Sequence, residues 1–182
     1  SGKSMDTTMG LTPLAGVPMG TRCGDVDPAI IPTVMKLYDI KPDQMLTILN
    51  KESGAWGVSG VSTDFRDIER QAAAGDARSI LALESRAYII AQYIAKFIVT
   101  LQGIDYLTFS GGIGENGFEE RERIVNYLEF MGIKLDRERN KARGKETMIS
   151  ADDSKVKIYI IPTNEEIMIA KDTYNLVKDL AK

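Results

Sequence analysis

The chain has 182 residues, of which 43% are hydrophobic and 27% charged, and these proportions are ordinary for a globular protein with one domain of average size. Its net charge of −3 provides no basic surface, so we expect no nucleic-acid partner. Its most apolar run, residues 87–101, contains Lys96 and is shorter than the roughly 20 residues of a membrane span, so we expect no membrane segment.

Cysteine and histidine content bear on the compartment and on the chemistry. Cys23 is the only cysteine, which excludes an internal disulfide and favours a reducing compartment. The first residues lack the apolar stretch of an export signal, so we expect a cytoplasmic location. The chain contains no histidine, although acid–base and metal chemistry often uses one. Either the chemistry is of another kind, or part of the machinery lies outside this chain.

The first 25 residues are predicted to be irregular. Gly2-Lys3-Ser4 matches the end of a phosphate-binding Walker A motif, but the strand and glycine loop that the motif requires do not precede it. Residues 5–25 are rich in Gly, Pro, Met and Thr, which favours turns. Arg22 lies close in sequence to Asp25 and Asp27, and the simplest interpretation of this grouping is a surface ion pair.

Two helices and a loop are predicted next. Asp27 can cap the first helix, with Pro28 at its first position and an apolar face that extends to Leu37. The second helix covers residues 42–50. Residues 53–67 are expected to form a loop, because three glycines recur in their first half.

A third helix is predicted to begin after Thr63 or Asp64, either of which can cap it. The simplest role of Asp64 is then that of a capping acid. Phe65 and Arg66 would be a packing ring and a solvated base.

The longest predicted helix begins after Asp76 and reaches about Gln102, where Gly103 stops it. Its apolar residues recur at spacings of three and four, and the resulting stripe is wider than that of an ordinary amphipathic helix. We therefore expect this helix to be buried on most sides. The stripe consists of Ile80, Leu83, Ala87, Ile90, Ile94, Phe97 and Leu101, widened by Ile89, Ile98 and Val99.

A strand, a glycine turn and a helix are predicted in the centre of the second half. Residues 106–109 have strand character, and Gly111, Gly112 and Gly114 follow directly. Residues 118–129 then show helical periodicity. Glycines let the backbone approach a ligand closely, and the unpaired N–H groups of a helix N-terminus attract phosphate. The arrangement is suited to binding a nucleotide.

The remaining chain is predicted to add one strand and one helix. Residues 136–153 are charged and are expected to be mobile. Residues 155–162 become continuously apolar, as a strand inside a sheet does. Thr163-Asn-Glu-Glu166 forms a capping box for a last helix with an inward apolar face, which is made of Ile167, Ile169, Ala170, Tyr174, Leu176 and Val177. The order of elements predicts an α/β fold with parallel central strands.

Three interpretations of the glycine stretch stay open on these residues alone. Gly112, Gly114 and Gly117 fit the dinucleotide-binding pattern G-x-G-x-x-G of an oxidoreductase, and Asp136 follows at about the required 20 residues. Glu115 and the acidic residues after it would, however, repel a pyrophosphate at that helix N-terminus. The glycines could also form a turn without a ligand, or the loop of another nucleotide-binding fold.

Five blocks of sequence together form a recognisable pattern. They are Met5–Gly10 with Thr12–Leu14, Met19–Asp25, Ser59–Asp67, Phe109–Asn116 and Ile161–Glu166. In order and spacing these blocks resemble the acetate kinase family. The resemblance covers nearly the whole chain, but it corresponds only to the C-terminal half of such a kinase. The family's N-terminal domain and a histidine-bearing phosphate loop lie outside it, which accounts for the missing histidines.

The resemblance implies a fold and a domain organisation. Residues 1–182 would be the C-terminal nucleotide-binding domain of a two-domain kinase. Its fold would be ribonuclease-H-like, with parallel central strands flanked by helices, as in the superfamily of actin, hexokinase and the Hsp70 ATPase. The implied reaction is the reversible phosphorylation of acetate by ATP to give acetyl phosphate.

The resemblance also implies site residues. Arg22 corresponds to the family's catalytic arginine and Glu165 to its magnesium-linked glutamate. Asp64, Phe65 and Arg66 would hold the adenosine end of ATP or ADP. The segment that would lie behind the adenine and the ribose or α-phosphate consists of Gly112, Ile113, Gly114, Glu115 and Asn116.

The expected ligands are therefore ATP or ADP, Mg²⁺ and a small carboxylic acid, and the expected partner is a second copy of the chain. A non-catalytic nucleotide-binding module with the same fold is the alternative.

Overall fold

The computed structural model describes residues 2–178, in which helices and a small sheet alternate. The strands are β1 (Tyr106–Phe109), β2 (Thr147–Met148) and β3 (Lys157–Ile160). The α-helices are α1 (Ile30–Tyr38), α2 (Pro42–Lys51), α3 (Gly54–Ser59), α4 (Phe65–Ala73), α5 (Ala77–Leu101), α6 (Gly111–Asn116), α7 (Phe118–Asn126) and α8 (Glu165–Val177).

The three strands form one mixed sheet in the order β1-β3-β2. β1 and β3 are parallel, with Tyr106 opposite Lys157 and Phe109 opposite Ile160, which confirms the predicted pair of parallel strands. β2 runs antiparallel to β3, and with two residues it is too short for the sequence pattern to indicate. Ile158 and Ile160 are completely buried, as expected of an apolar strand inside a sheet.

Contacts divide the described chain into two compact units. The first unit comprises residues 2–104 together with Arg123–Met131, and the second comprises Asp105–Glu122 together with residues 132–178. In the first unit α3 and α4 both pack against α5. Their contact forms a core cluster of Ala55, Ile68, Ala82 and Leu83, against which Phe65 and Ala72 pack.

The longest helix has the predicted ends but not the predicted burial. The side chain of Asp76 caps α5 by accepting from Ser79 N at 2.7 Å. The buried residues of α5 are mostly small ones, and Leu81 and Val99 are 58% and 78% exposed. These two exposed side chains show that the prediction of a helix buried on most sides is wrong. The small buried side chains let the neighbouring helices approach α5 closely. The buried set is Ser79, Ala82, Leu83, Ala87 and Ala91.

Residues 53–67 are not the continuous loop that their glycines predict. They contain the short helix α3, whose ends are both glycines with positive φ, 61° at Gly54 and 71° at Gly60. The glycines thus mark the limits of a helix. Asp64 caps α4 by accepting from Arg66 N at 2.9 Å, which confirms one of the two predicted caps.

A completely buried arginine, Arg121, organises the second unit. Its guanidinium donates to Gly114 O at 2.7 Å, to Asn140 Oδ1 at 2.8 Å and to Ala142 O at 2.8 Å. Carbonyl groups of residues 136–153 accept hydrogen bonds from the buried Arg121. This segment is therefore fixed in place, and it is not the mobile stretch that its charge predicts. Burial lowers the pKa of Arg121 to about 10, so the side chain stays charged at neutral pH.

The apolar helices at the two ends of the described chain differ from the prediction. α1 begins at Ile30, two residues later than expected, and Asp27 Oδ1 accepts from Ala29 N just before it. α8 is capped by Asn164, which accepts from Ile167 N at 3.0 Å. Neither helix buries a residue, so the predicted inward face of α8 is wrong for the described chain. Within residues 2–178 no helix has the length and apolar character needed to cross a membrane.

Candidate functional site

Arg22 lies on a tight turn that is bonded to the start of α3. Met19 N donates to Arg22 O at 3.0 Å and closes the turn. Ala55 N donates to Met19 O, and Trp56 N to Gly20 O, both at 2.9 Å. The first N–H groups of a helix have no partner within the helix, and here the carbonyl groups of the turn supply it. The backbone of Arg22 is thereby fixed.

The side chain of Arg22 makes no ion pair with a described residue, so the predicted surface ion pair is wrong. Asp25 instead accepts from Gly16 N at 2.8 Å and from the Tyr93 hydroxyl, and these hydrogen bonds, that of Tyr93 above all, lower the pKa of Asp25. Asp27 accepts from a backbone N–H. Among the described residues, the polar contact of the Arg22 guanidinium is Met19 Sδ, at 3.5 Å. Its charge remains available to an anion.

An open cleft of about 590 Å³ lies beside Arg22 in the first unit. Its described lining contains two cations, Arg22 and Lys51, and no acid, which favours an anionic ligand. The lining consists of Met19, Gly20, Thr21, Arg22, Leu46, Thr47, Asn50, Lys51 and Thr63.

The predicted adenosine residues lie next to the Arg22 turn. A Cβ on Gly20 would lie 3.2 Å from Thr63 O and 3.8 Å from Phe65 Cε2, so the turn and the start of α4 are in contact. Asp64 and Arg66 form an exposed pair with Nη2 and Oδ2 2.5 Å apart. This hydrogen bond, reinforced by the Arg66 N–H, lowers the pKa of Asp64 to about 2. The Phe65 ring packs on the core cluster, and the Arg86 guanidinium carbon lies 4.7 Å from its centroid.

In the second unit, the predicted glycine turn is the short helix α6. Gly111, its first residue, has a φ of 71°. Glu115 Oε1 accepts from Gly111 N at 2.9 Å, from Thr163 N at 2.9 Å and from Thr163 Oγ1 at 3.2 Å. Asn116 Nδ2 donates to Gly112 O at 2.9 Å. Hydrogen bonds thus fix α6 at several points. Glu115 and Asn116, two of the predicted nucleotide-binding residues, make these bonds.

The glycines of this segment differ in what surrounds them. A Cβ on Gly114 would lie 3.3 Å from Phe109 C, and one on Gly117 would lie 2.9 Å from Ile113 O. Packing alone therefore favours glycine at Gly117, and at Gly114 a Cβ would fit only if Phe109 moved slightly. A Cβ on Gly112 would meet nothing within 4 Å, so the space above Gly112 is open. A ligand can approach the backbone there.

Glu165 is the first residue of α8 and is exposed. Residues 2–178 contain no group of three or more His, Cys, Asp or Glu side chains that could hold a metal ion. A single carboxylate nevertheless fits Mg²⁺ bound with a nucleotide, because the phosphates and water then supply most of the ligands. Glu165 follows Thr163 closely in sequence, and Thr163 is bonded to α6 through Glu115.

A comparison with known proteins decides between the interpretations of these residues. The model of the acetokinase family matches residues 1–171. The chain belongs to the acetokinase family. An acetate kinase of Treponema denticola is 55% identical over 177 residues, which are 97% of this chain and 45% of that protein.

Solved structures of acetokinases have the same fold. The acetate kinase of Porphyromonas gingivalis superposes with a TM-score of 0.87 at 42% identity, over 93% of this chain and 43% of that one. A propionate kinase of Francisella tularensis gives 0.87 at 39% identity, with the same coverage. This chain therefore spans less than half the length of the acetokinases that it resembles.

Membership in the acetokinase family confirms the resemblance seen in the sequence and removes the oxidoreductase interpretation. The structure agrees on one further point. Asp136 follows a single β-bridge, Leu135 opposite Ser150, rather than a full strand, and its side chain accepts from Glu138 N and Arg139 N at the start of a short 3₁₀ helix.

Arg121 and Asn140 are missing from the predicted site residues. The spacing of Arg121 from Ile124 and Val125 places it on the apolar side of α7, and all three are buried. A charged residue on such a face signals a buried network. Asn140 has no comparable signal, because it lies in an irregular, charged segment.

The close packing of the Arg22 turn on α3 yields a prediction about Gly54. A Cβ at this position would lie 2.2 Å from Met19 O, and the φ of 61° is unfavourable for alanine. Gly75 is the matched control, because its φ of 91° is also positive but its Cβ would meet nothing within 4 Å. We expect Gly75→Ala to lower the free energy of unfolding by about 1–3 kcal/mol.

Gly54→Ala adds the displacement of the turn, and we expect a further loss of about 1–3 kcal/mol. Urea denaturation of the two variants measures the difference. Equal losses would show that the turn does not pack on α3 as described.

Proposed function

We propose that the chain is the C-terminal, nucleotide-binding domain of a two-domain kinase that transfers the γ-phosphoryl group of ATP to acetate, reversibly. The supporting observation is the Arg22 guanidinium, which has no described counter-charge and faces a cleft without acids. It occurs in a chain that is 55% identical to an acetate kinase. The mixed sheet with its parallel pair also supports a ribonuclease-H-like domain of the actin and hexokinase superfamily.

In this proposal, two segments bind ATP or ADP. Asp64, Phe65 and Arg66 contact the adenosine, with the exposed Arg66 plane available to stack on the base. Gly112 gives the nucleotide close access to the backbone of α6. Ile113, Gly114 and Asn116 complete this segment. Magnesium, when bound, lowers the negative charge of the phosphates, and Glu165 holds it directly or through water.

Transfer needs no nucleophile from the protein, because the carboxylate of the substrate attacks. An acetate oxygen forms a bond to the γ-phosphorus while the bond from that phosphorus to the β,γ-bridging oxygen breaks, and ADP leaves. Charge accumulates on the three equatorial oxygens of the transferring group, and a planar cation such as Arg22 stabilises it. Cys23 takes no part, and burial raises the pKa of its thiol, which disfavours the reactive thiolate.

The proposal includes a cytoplasmic homodimer. The unpaired Cys23 supports a reducing compartment. Exposed apolar side chains support association, among them Ile169 at 66% and Leu176 at 77% exposure. Light scattering by the full-length protein measures the oligomeric state.

Trapping with hydroxylamine tests the reaction. We expect the full-length protein to form acetyl phosphate from acetate, ATP and Mg²⁺, with propionate assayed in parallel because a propionate kinase shares the fold. The 182-residue chain alone should form none, since closing a cleft and excluding water requires a second domain. Nucleotide binding by the full-length protein without product from either acid would favour a non-catalytic module.

Replacement of Arg22 separates binding from catalysis. We expect Arg22→Ala to lower kcat by on the order of 10³-fold, because the lost charge acts on the transferring group, with little change in the dissociation constant of ADP. Arg137→Ala is the matched control, since Arg137 is exposed and its ion pair in the described chain is with Glu122, outside the proposed site. Unchanged turnover in Arg22→Ala would exclude this residue from the mechanism.

Gly112 tests the nucleotide site. Because a Cβ there meets no protein atom, Gly112→Val should fold normally. It should weaken ADP binding by roughly 5- to 150-fold, the effect of about 1–3 kcal/mol of steric conflict. Gly114→Ala is the contrasting variant and should lower the melting temperature, because its Cβ would meet Phe109. Calorimetric titration showing wild-type affinity in Gly112→Val would place the nucleotide elsewhere.

A further inference from the structure

The carboxylate of Glu115 accepts three hydrogen bonds on a single oxygen. Oε1 accepts two backbone N–H groups and one hydroxyl, from Gly111 and Thr163. Neither N–H donates to another described residue. A carboxylate that pairs two otherwise unpaired N–H groups forms charge-assisted hydrogen bonds, which are stronger than neutral ones.

These bonds join two segments that are distant in sequence. Gly111 begins α6, and Thr163 lies in the segment that leads from β3 to α8, whose first residue is Glu165. Other contacts join α6 to α7 and to the segment that contains Asn140 and Gly144. Arg121 bonds Gly114 O, and Gly144 N donates to Glu115 O at 3.2 Å. Of the described contacts of Glu115, only those of its carboxylate reach the segment before α8.

We propose that Glu115 is a positioning residue, because its carboxylate couples the glycine helix α6 to the segment before α8. This coupling keeps the nucleotide-binding backbone at Gly112 in a fixed position relative to Glu165. This inference rests on the proposed function, in which α6 carries the nucleotide and Glu165 the magnesium. The carboxylate itself contacts neither. The same hydrogen bonds lower the pKa of Glu115, and the bond from Thr163 N has the largest effect. The carboxylate is therefore ionised at neutral pH.

The coupling can be measured without activity, by hydrogen–deuterium exchange of the full-length protein. We expect Glu115→Ala to speed amide exchange at Gly111 and at Thr163 together, by roughly 10- to 100-fold, as follows from losing hydrogen bonds to a charged group. Glu115→Gln keeps the shape and one acceptor but loses the charge, so it should give a smaller effect. Glu146→Gln is the matched control, an exposed glutamate of the same unit, and should change neither site.

Kinetics distinguish positioning from direct binding. In Glu115→Ala we expect the Mg²⁺ concentration for half-maximal activity to rise by about 10- to 100-fold, as for residues that orient metal ligands. ADP affinity measured without Mg²⁺ should stay near that of the wild type. A loss of this metal-free affinity, with exchange at Thr163 unchanged, would make Glu115 a nucleotide ligand and overturn the proposal.

The two proposals fail in different ways. If the wild type forms no acyl phosphate, the proposed function fails, and the assignment of Glu115 as a positioning residue for catalysis fails with it. If the wild type is active but Glu115→Ala leaves both amides protected, the proposed function stands and only the role of Glu115 is wrong.

Discussion

Pairing of one buried cation constrains the second unit. Transferring the Arg121 guanidinium from water costs several kcal/mol unless hydrogen bonds compensate it. Its acceptors are the carbonyl of Gly114 in α6, the side chain and carbonyl of Asn140, and the carbonyl of Ala142. Asn140 in turn donates to Phe118 O at 2.8 Å. A helix of six residues and an irregular segment thus obtain fixed positions that neither could keep by itself.

The sequence predicts the elements that obey strong local rules. Periodicity and capping locate α5, β1 and β3, and Asp64 and Asp76 cap the helices expected of them. The errors arise where tertiary contacts override local preference. Glycines that normally break helices instead bound α3 and compose much of α6. Apolar spacing in α5 indicates a helix but does not show which face its neighbours cover.

The candidate site is predictable to a different degree in its two parts. Family resemblance alone singles out Arg22, whose proposed role is to stabilise charge on the transferring phosphoryl group. The sequence suggests, wrongly, that Asp25 neutralises it, because only the structure shows that Tyr93 and Gly16 use this carboxylate. Glu115 is grouped by resemblance with the nucleotide residues, whereas its hydrogen bonds to Gly111 and Thr163 follow from a contact across distant sequence. Spacing along the chain carries no information on such contacts.

The parallel pairing of β1 with β3 has a consequence for how the chain folds during synthesis. β3 leaves the ribosome about 50 residues after β1, which at about 5–20 residues per second takes several seconds. The 25-residue helix α5 needs no such delay to form its backbone hydrogen bonds, because these join residues four apart in sequence. During that interval the edge of β1 that pairs with β3 in the described chain stays open. In the cell, chaperones would therefore have several seconds in which to bind this edge, immediately before the glycine helix.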